Sequence, residues 1–253
     1  MANGPSGTPE REQSPLSILM LLPNMVTLTG LSFGLTAVRF TIEGRYSAAV
    51  FLILLAALAD GLDGLLARWL RAESPLGAQL DSLSDFMCFG VAPAILVYQI
   101  HLAQAGGFGW IIAMLFAVGA CFRLARFNVT TGKTDDTKGP AKHFVGVPAP
   151  AGACLGLLPV FLTLGSVLEP GDAPVVVSVW LAIVCVLMIS SLKTLSPKAV
   201  KVPRRFIGVI LFATVIVIGL GFTRPWYLLA LVDVAYLMTL LHAVVRARGQ
   251  LFR

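Results

Sequence analysis

From residue 18 to residue 245 the sequence is a succession of apolar runs of about 20 residues, the length an α-helix needs to cross a bilayer. Within hydrocarbon every backbone N–H and C=O must be satisfied inside the protein, which limits spanning segments to helices and closed barrels. Runs this long and this uniformly apolar point to helices. Composition agrees: 57% of residues are hydrophobic and 13% charged, against roughly a quarter charged in a soluble domain, and the mean hydropathy is +0.85. The expected fold class is all-α, a polytopic membrane protein.

Polar breaks divide the apolar sequence into eight expected spans, at roughly 24–42, 47–69, 76–101, 107–129, 148–166, 173–192, 204–222 and 225–245. Leu16 to Leu22 reads as a short interfacial helix leading into the first span. Cytoplasmic loops carry excess Lys and Arg. With eight spans, both termini fall on the side that holds every Lys and Arg except Arg39, Arg45 and Arg224. The expectation is therefore eight transmembrane helices with both ends in the cytoplasm. This placement also accounts for the formal charge of +6 without a nucleic-acid partner. The first residues, rich in Gly, Pro, Ser and Glu, read as a disordered tail (1–15), and without a basic n-region or cleavage site they do not read as a signal peptide.

Cys88, Cys121, Cys154 and Cys185 fall singly in four different runs. They read as small buried hydrophobes and form no disulfide or zinc pattern. His101, His143 and His242 are equally scattered.

Four carboxylates do not belong in such a sequence. Asp60, Asp63, Asp81 and Asp85 lie within or at the ends of the second and third spans, where each charge costs about 2.5–3.5 kcal/mol at mid-membrane on insertion scales. Asp60, Asp63, Gly64, Ala67 and Arg68 stand at i, i+3, i+4, i+7 and i+8, one face of a helix, and Gly77, Asp81 and Asp85 repeat the pattern at i, i+4 and i+8. Ser74 before Pro75 reads as an N-cap followed by proline at the first helical position. So short a linker makes the two helices antiparallel neighbours whose carboxylate faces meet near the cytoplasmic end.

Arg68 alone cannot neutralise four carboxylates. Oxygen-only donors select hard divalent ions, Mg²⁺ or Mn²⁺ first and Ca²⁺ after them, and two such ions would cancel the charge. Metal pairs of this kind hold the oxygens of a phosphoryl group during displacement. Gly64 and Gly77 leave room where a substrate would approach the backbone. On spacing and charge alone three readings stand: a structural polar contact, an ion-coupled transporter using the aspartates as a relay, and phosphoryl transfer.

The run from Asp60 to Asp85 reads D-G-L-D-G-L-L-A-R, eight residues, then G-A-Q-L-D-S-L-S-D. It resembles the signature of the CDP-alcohol phosphotransferases, D-x-x-D-G-x-x-A-R-x8-G-x-x-x-D-x-x-x-D, at every defining position. The resemblance implies that Asp60, Asp63, Asp81 and Asp85 hold two divalent ions and that Asp85 is also the general base for the acceptor hydroxyl. It implies that Gly64, Ala67, Arg68 and Gly77 line the CDP portion of CDP-diacylglycerol, with CMP as leaving group. The family fold is a six-helix bundle that commonly pairs as a homodimer. Here it would correspond to residues 16–192, with residues 193–253 adding two C-terminal helices and a basic tail.

Three further segments resemble the serine-accepting branch, the CDP-diacylglycerol–serine O-phosphatidyltransferases: Leu22-Pro23-Asn24-Met25-Val26-Thr27, Arg123-Leu124-Ala125-Arg126-Phe127-Asn128, and Phe144 to Pro150. Pro23, Asn24 and Thr27 are candidates for holding the nucleotide or diphosphate. Arg grips carboxylates bidentately, so Arg123 and Arg126, with Asn128 nearby, are candidates for holding the carboxylate of L-serine or a lipid phosphate. The resemblance implies a multi-pass protein of the cytoplasmic (inner) membrane with its active site facing the cytoplasm. Glycerol 3-phosphate, inositol phosphate and choline are the competing acceptors. The loop 130–147, long for a bundle, reads as a lid whose Lys133, Asp135, Asp136, Lys138 and Lys142 are solvated. Asp233, in the middle of the eighth span, receives no role.

Overall fold

The structure is a computed structural model and describes residues 18–131, 144–145, 147–190, 193–194 and 217–246. The lid charges (Lys133 to Lys142), the tail 1–15 and most of the expected seventh span lie outside the described residues.

The first helix, α1 (Ile18–Ile42), contains Pro23. It ends in a Schellman turn: Gly44 takes φ +74°, Arg45 N–H bonds to Phe40 O at 2.8 Å and Gly44 N–H to Thr41 O at 3.1 Å. These two bonds satisfy carbonyls that any helix end leaves open. The same device closes α2 (Tyr46–Leu70). There Ala72 N–H bonds to Ala67 O at 2.9 Å and Arg71 N–H to Arg68 O at 3.3 Å. The left-handed position is Arg71, at φ 51°, a conformation that costs a side-chain-bearing residue roughly 1–2 kcal/mol. Ser74 then accepts from Gly77 N–H at 3.0 Å and Pro75 opens α3 (Pro75–Asp85), the cap-plus-proline start expected from the sequence.

The expected span 76–101 is helical but not one α-helix. Beyond α3 the chain widens into a π-helix at Phe86–Val91, narrows into α4 (Ala92–Val97), widens again at Tyr98–Leu102 and closes with a 3-10 turn at Ala103–Ala105. Pro93 explains the first change, since it has no N–H to donate to Phe89 four residues back; π turns absorb such interruptions and are frequent at functional sites. Gly106, at φ 59°, reverses the chain, and α5 (Gly106–Thr131) packs back along the segment it follows.

Two shorter apolar helices follow, α6 (Ala149–Leu164) and α7 (Pro174–Ile189). At 16 residues each they fall short of the roughly 20 that a perpendicular crossing needs. Proline opens each of them, and Gly165 and Ser190 close them. The last helix, α8 (Pro225–Arg246), packs on α6. A two-residue antiparallel bridge joins β1 (Phe144–Val145) to β2 (Lys193–Thr194). Among the described residues, four helical stretches are long and apolar enough to cross a membrane: Leu21–Ile42, Tyr46–Leu70, Pro75–Val129 and Pro225–His242. The third is two passes' worth of helix folded at Gly106.

The core gathers Val50 and Ile53 of α2, Leu96 of α4, Phe116 of α5, Leu155 and Phe161 of α6, and Leu181 and Met188 of α7. In lipid such contacts gain from close packing rather than from leaving water, which favours small residues at crossings. Gly156 is one: a Cβ there would stand 2.7 Å from the Phe116 ring. Outward faces carry Phe51, Leu58, Trp69, Phe122, Val175 and Leu241, the apolar belt a bilayer requires. Multi-pass membrane architecture follows from these lengths and faces.

Candidate active site

The site lies where α1, α2 and α3 converge. α1 packs against both α2 and α3, while direct packing of α2 on α3 is sparse. A cavity of about 290 Å³ occupies the gap.

Carboxylate oxygens of Asp60, Asp63 and Asp81, one from each, lie within 4.8 Å of one another. Asp60 and Asp63 come from one face of α2, and Asp81 from the second turn of α3. Asp85, one helical turn beyond Asp81, falls outside that 4.8 Å group but lines the same narrow recess as the other three, and its carboxyl meets that of Asp60. It is the last residue of α3 before the π-helix, so the change of winding sets where the next turn departs from the site. The sequence reading of two aspartate faces meeting is realised in the structure.

The donor set fits a hard cation. A Mg²⁺ or Ca²⁺ ion takes oxygens at roughly 2.0–2.6 Å, so oxygens on opposite sides of one ion stand about 4–5 Å apart, the spread found here. Among the described residues no ion pair reaches the aspartates; Arg39 and Arg45 pair with Glu43 at the far end of α1. The nearby sulfur, Cys88 Sγ, is turned to Gly30 O at 3.3 Å.

Pro23, Asn24 and Thr27 of α1, Asp63, Gly64 and Ala67 of α2, and Gly77 and Asp81 of α3 line the 290 Å³ cavity. The two glycines differ. A Cβ on Gly64 would meet nothing closer than Arg68 Nη2 at 3.9 Å, so that position opens onto free space. A Cβ on Gly77 would stand 2.8 Å from Asn24 Oδ1 and 3.1 Å from Ser74 Oγ. Gly77 therefore lets α1 and α3 approach one another. Arg68 does not line the cavity, although its guanidinium reaches back to Gly64. Ala72, Glu73, Ser74 and Ala78 do line it and were missed in the sequence, even though a linker joining two site-forming helices has to border whatever lies between them.

The three α5 candidates separate. Arg123 is half-buried, within electrostatic reach of Asp60 and Asp85, with its guanidinium carbon 5.9 Å from the Phe127 ring centre. Arg126 Nη1 donates to Ile189 O at 2.9 Å, at the C-terminus of α7, where a cation complements the helix dipole. Asn128 Nδ2 donates to Ser82 Oγ at 2.9 Å, tying α5 to α3 beside Asp81. Asp233 stands apart from the recess, buried on α8 near Cys154 of α6.

Comparison with known proteins places this geometry. The CDP-alcohol phosphatidyltransferase family model matches residues 20–191. A CDP-diacylglycerol–serine O-phosphatidyltransferase of Mycobacterium bovis is 36% identical over 232 residues, covering 89% of this chain and 79% of the relative. The enzyme of the same name from Helicobacter pylori is 31% identical over 212 residues, 83% of this chain and 85% of its own length. An archaetidylserine synthase of Methanothermobacter thermautotrophicus is 34% identical over 183 residues, 70% and 71% of the two chains. The match takes in all four aspartates and the helices that carry them, and the chain belongs to the CDP-alcohol phosphatidyltransferase family.

Proposed function

We propose that this protein transfers the phosphatidyl group of CDP-diacylglycerol to the hydroxyl of L-serine, giving phosphatidylserine and CMP. The observation that carries the reading is the convergence of Asp60, Asp63 and Asp81 oxygens within 4.8 Å beside a cavity large enough for part of a nucleotide, in a chain whose relatives are named for this reaction.

Asp60, Asp63, Asp81 and Asp85 are the proposed ligands of two divalent ions, Mg²⁺ or Mn²⁺. Bound there, the ions would neutralise the diphosphate and stabilise charge building on its oxygens. Gly64, Ala67 and Gly77 border the space assigned to the CDP portion, Pro23 and Asn24 close it from α1, and Arg68 supplies positive charge at its edge. Asp85 takes the proton of the serine hydroxyl; the serine oxygen forms a bond to the β-phosphorus, and the bond to the bridging oxygen breaks, releasing CMP. Arg123 is the proposed grip for the serine carboxylate or the lipid phosphate. Arg126 and Asn128, bonded to Ile189 and Ser82, hold α5 so that Arg123 faces the aspartates.

The proposed topology is eight crossings with both termini cytoplasmic, a catalytic core over 16–192, two added helices over 193–253, and the active site on the cytoplasmic side of the inner membrane. The asymmetry of Lys and Arg supports it. A homodimer is proposed on the family resemblance. Purified protein given labelled CDP-diacylglycerol and a panel of alcohols tests the acceptor: serine yields phosphatidylserine and stoichiometric CMP, and product from glycerol 3-phosphate, inositol phosphate or choline without product from serine refutes the assignment.

A further inference from the structure

Thr27 touches both carboxylate-bearing helices. Its Oγ1 lies 2.5 Å from Asp63 Oδ2 on α2 and 3.1 Å from Pro23 O, and its carbonyl accepts from Ser84 Oγ of α3 at 3.3 Å. Thr27 is 6% exposed and Asp63 5%, so little of either residue is open to solvent. A hydroxyl has one hydrogen to give, and the closer, charged acceptor holds it more strongly than a neutral carbonyl. The hydroxyl therefore points at Asp63. Among the described residues it is the one side-chain donor to that carboxylate. One Asp63 oxygen is fixed in this way, and the carboxylate cannot turn freely about its last bond.

We infer that Thr27 is a positioning residue of the metal site, its hydroxyl holding the Asp63 carboxylate in the orientation that lets it share an ion with Asp60 and Asp81. This rests on the reading of those aspartates as a metal site and deepens it, because Thr27 also borders the cavity and was expected from the sequence to contact the nucleotide. Partners that orient a ligand typically change metal affinity by 10–100-fold when removed. A nucleotide contact would leave metal affinity alone.

The experiment is Mn²⁺ binding by the purified full-length protein, followed through the EPR signal of free Mn²⁺, with no substrate present. Thr27→Val keeps the branched shape and removes the hydroxyl; it is expected to weaken Mn²⁺ binding by roughly tenfold or more. Thr27→Ser keeps the hydroxyl and is expected to stay within about twofold of the unsubstituted protein, well below that range. Thr27→Ala also lacks the hydroxyl; it is expected to show the same loss and replaces Val in the comparison should the Val variant fail to fold. Unchanged Mn²⁺ affinity in Val and Ala, with a raised KM for CDP-diacylglycerol, overturns the inference and assigns Thr27 to the substrate. Equal loss in Ser and Val overturns it as well, since the methyl packing would then be what matters. An unsubstituted protein that binds no Mn²⁺ refutes the metal reading itself, a result distinct from either.

Discussion

Ser82 and Asn128 bond to each other across the α3–α5 contact, with Asn128 Nδ2 2.9 Å from Ser82 Oγ. Ser82 follows Asp81 directly, so the pair fastens the helix that carries two of the aspartates to the helix that carries Arg123. The bond is partly buried, where a neutral hydrogen bond contributes about 0.5–1.5 kcal/mol. Ser82→Ala and Asn128→Ala are each expected to lower Tm by a few degrees. The double variant should be little worse than either single one, because both remove the same interaction. Thermal unfolding in detergent measures this, and strictly additive losses would contradict it.

Arg123 and Arg126 lie one turn apart on α5 and face different partners. Loss of a charged hydrogen-bonding group at a substrate carboxylate costs about 1.5–3 kcal/mol. Arg123→Ala is therefore expected to raise KM for serine or lower kcat/KM by roughly 10- to 100-fold. Arg126→Ala removes the cap on Ile189 O and should reduce stability while leaving the KM for serine within about twofold. Steady-state kinetics with serine varied separate the two.

Asp85→Asn removes the proposed proton acceptor. General bases contribute typically 10²–10⁴-fold, so CMP release should fall by at least about 100-fold. Size-exclusion elution and Tm should stay close to those of the unsubstituted protein, since asparagine fills the same volume. Solute flux through sealed vesicles that survives this change would favour a transporter.

Gly64 and Gly77 make opposite predictions. Gly64→Ala adds a methyl group to open space; it should fold with nearly unchanged Tm and raise the KM for CDP-diacylglycerol. Gly77→Ala drives a methyl group against Asn24 and Ser74, and overpacking of this kind costs about 1–3 kcal/mol. Its main effect should be a lower Tm.

Much of this arrangement is legible in the residues themselves. Asp60, Asp63, Asp81 and Asp85 declare two helix faces because a spacing of three or four fixes a direction around a helix, and Ser74-Pro75 announces the start of α3. What spacing cannot express is contact between segments distant in sequence. Thr27 reaching Asp63, Asn128 reaching Ser82 and Arg126 reaching Ile189 depend on how α1, α5 and α7 are rotated in the bundle. The apolar pattern leaves that rotation open, because core and lipid are equally greasy. The same uniformity hid the π turns at Phe86–Val91 and Tyr98–Leu102, where only Pro93 hinted at an interruption. It also hid the shortness of α6 and α7, whose ends are set by Pro148, Gly165 and Ser190 inside longer apolar runs.

The central claim is that carboxylates from α2 and α3 share a divalent cation, and anomalous diffraction from crystals grown with Mn²⁺ tests it most directly. The account predicts a Mn²⁺ peak within about 2.0–2.6 Å of oxygens from Asp60, Asp63 and Asp81. Crystals with no anomalous peak between those three side chains, from protein that transfers phosphatidyl groups at full rate in excess chelator, would contradict it.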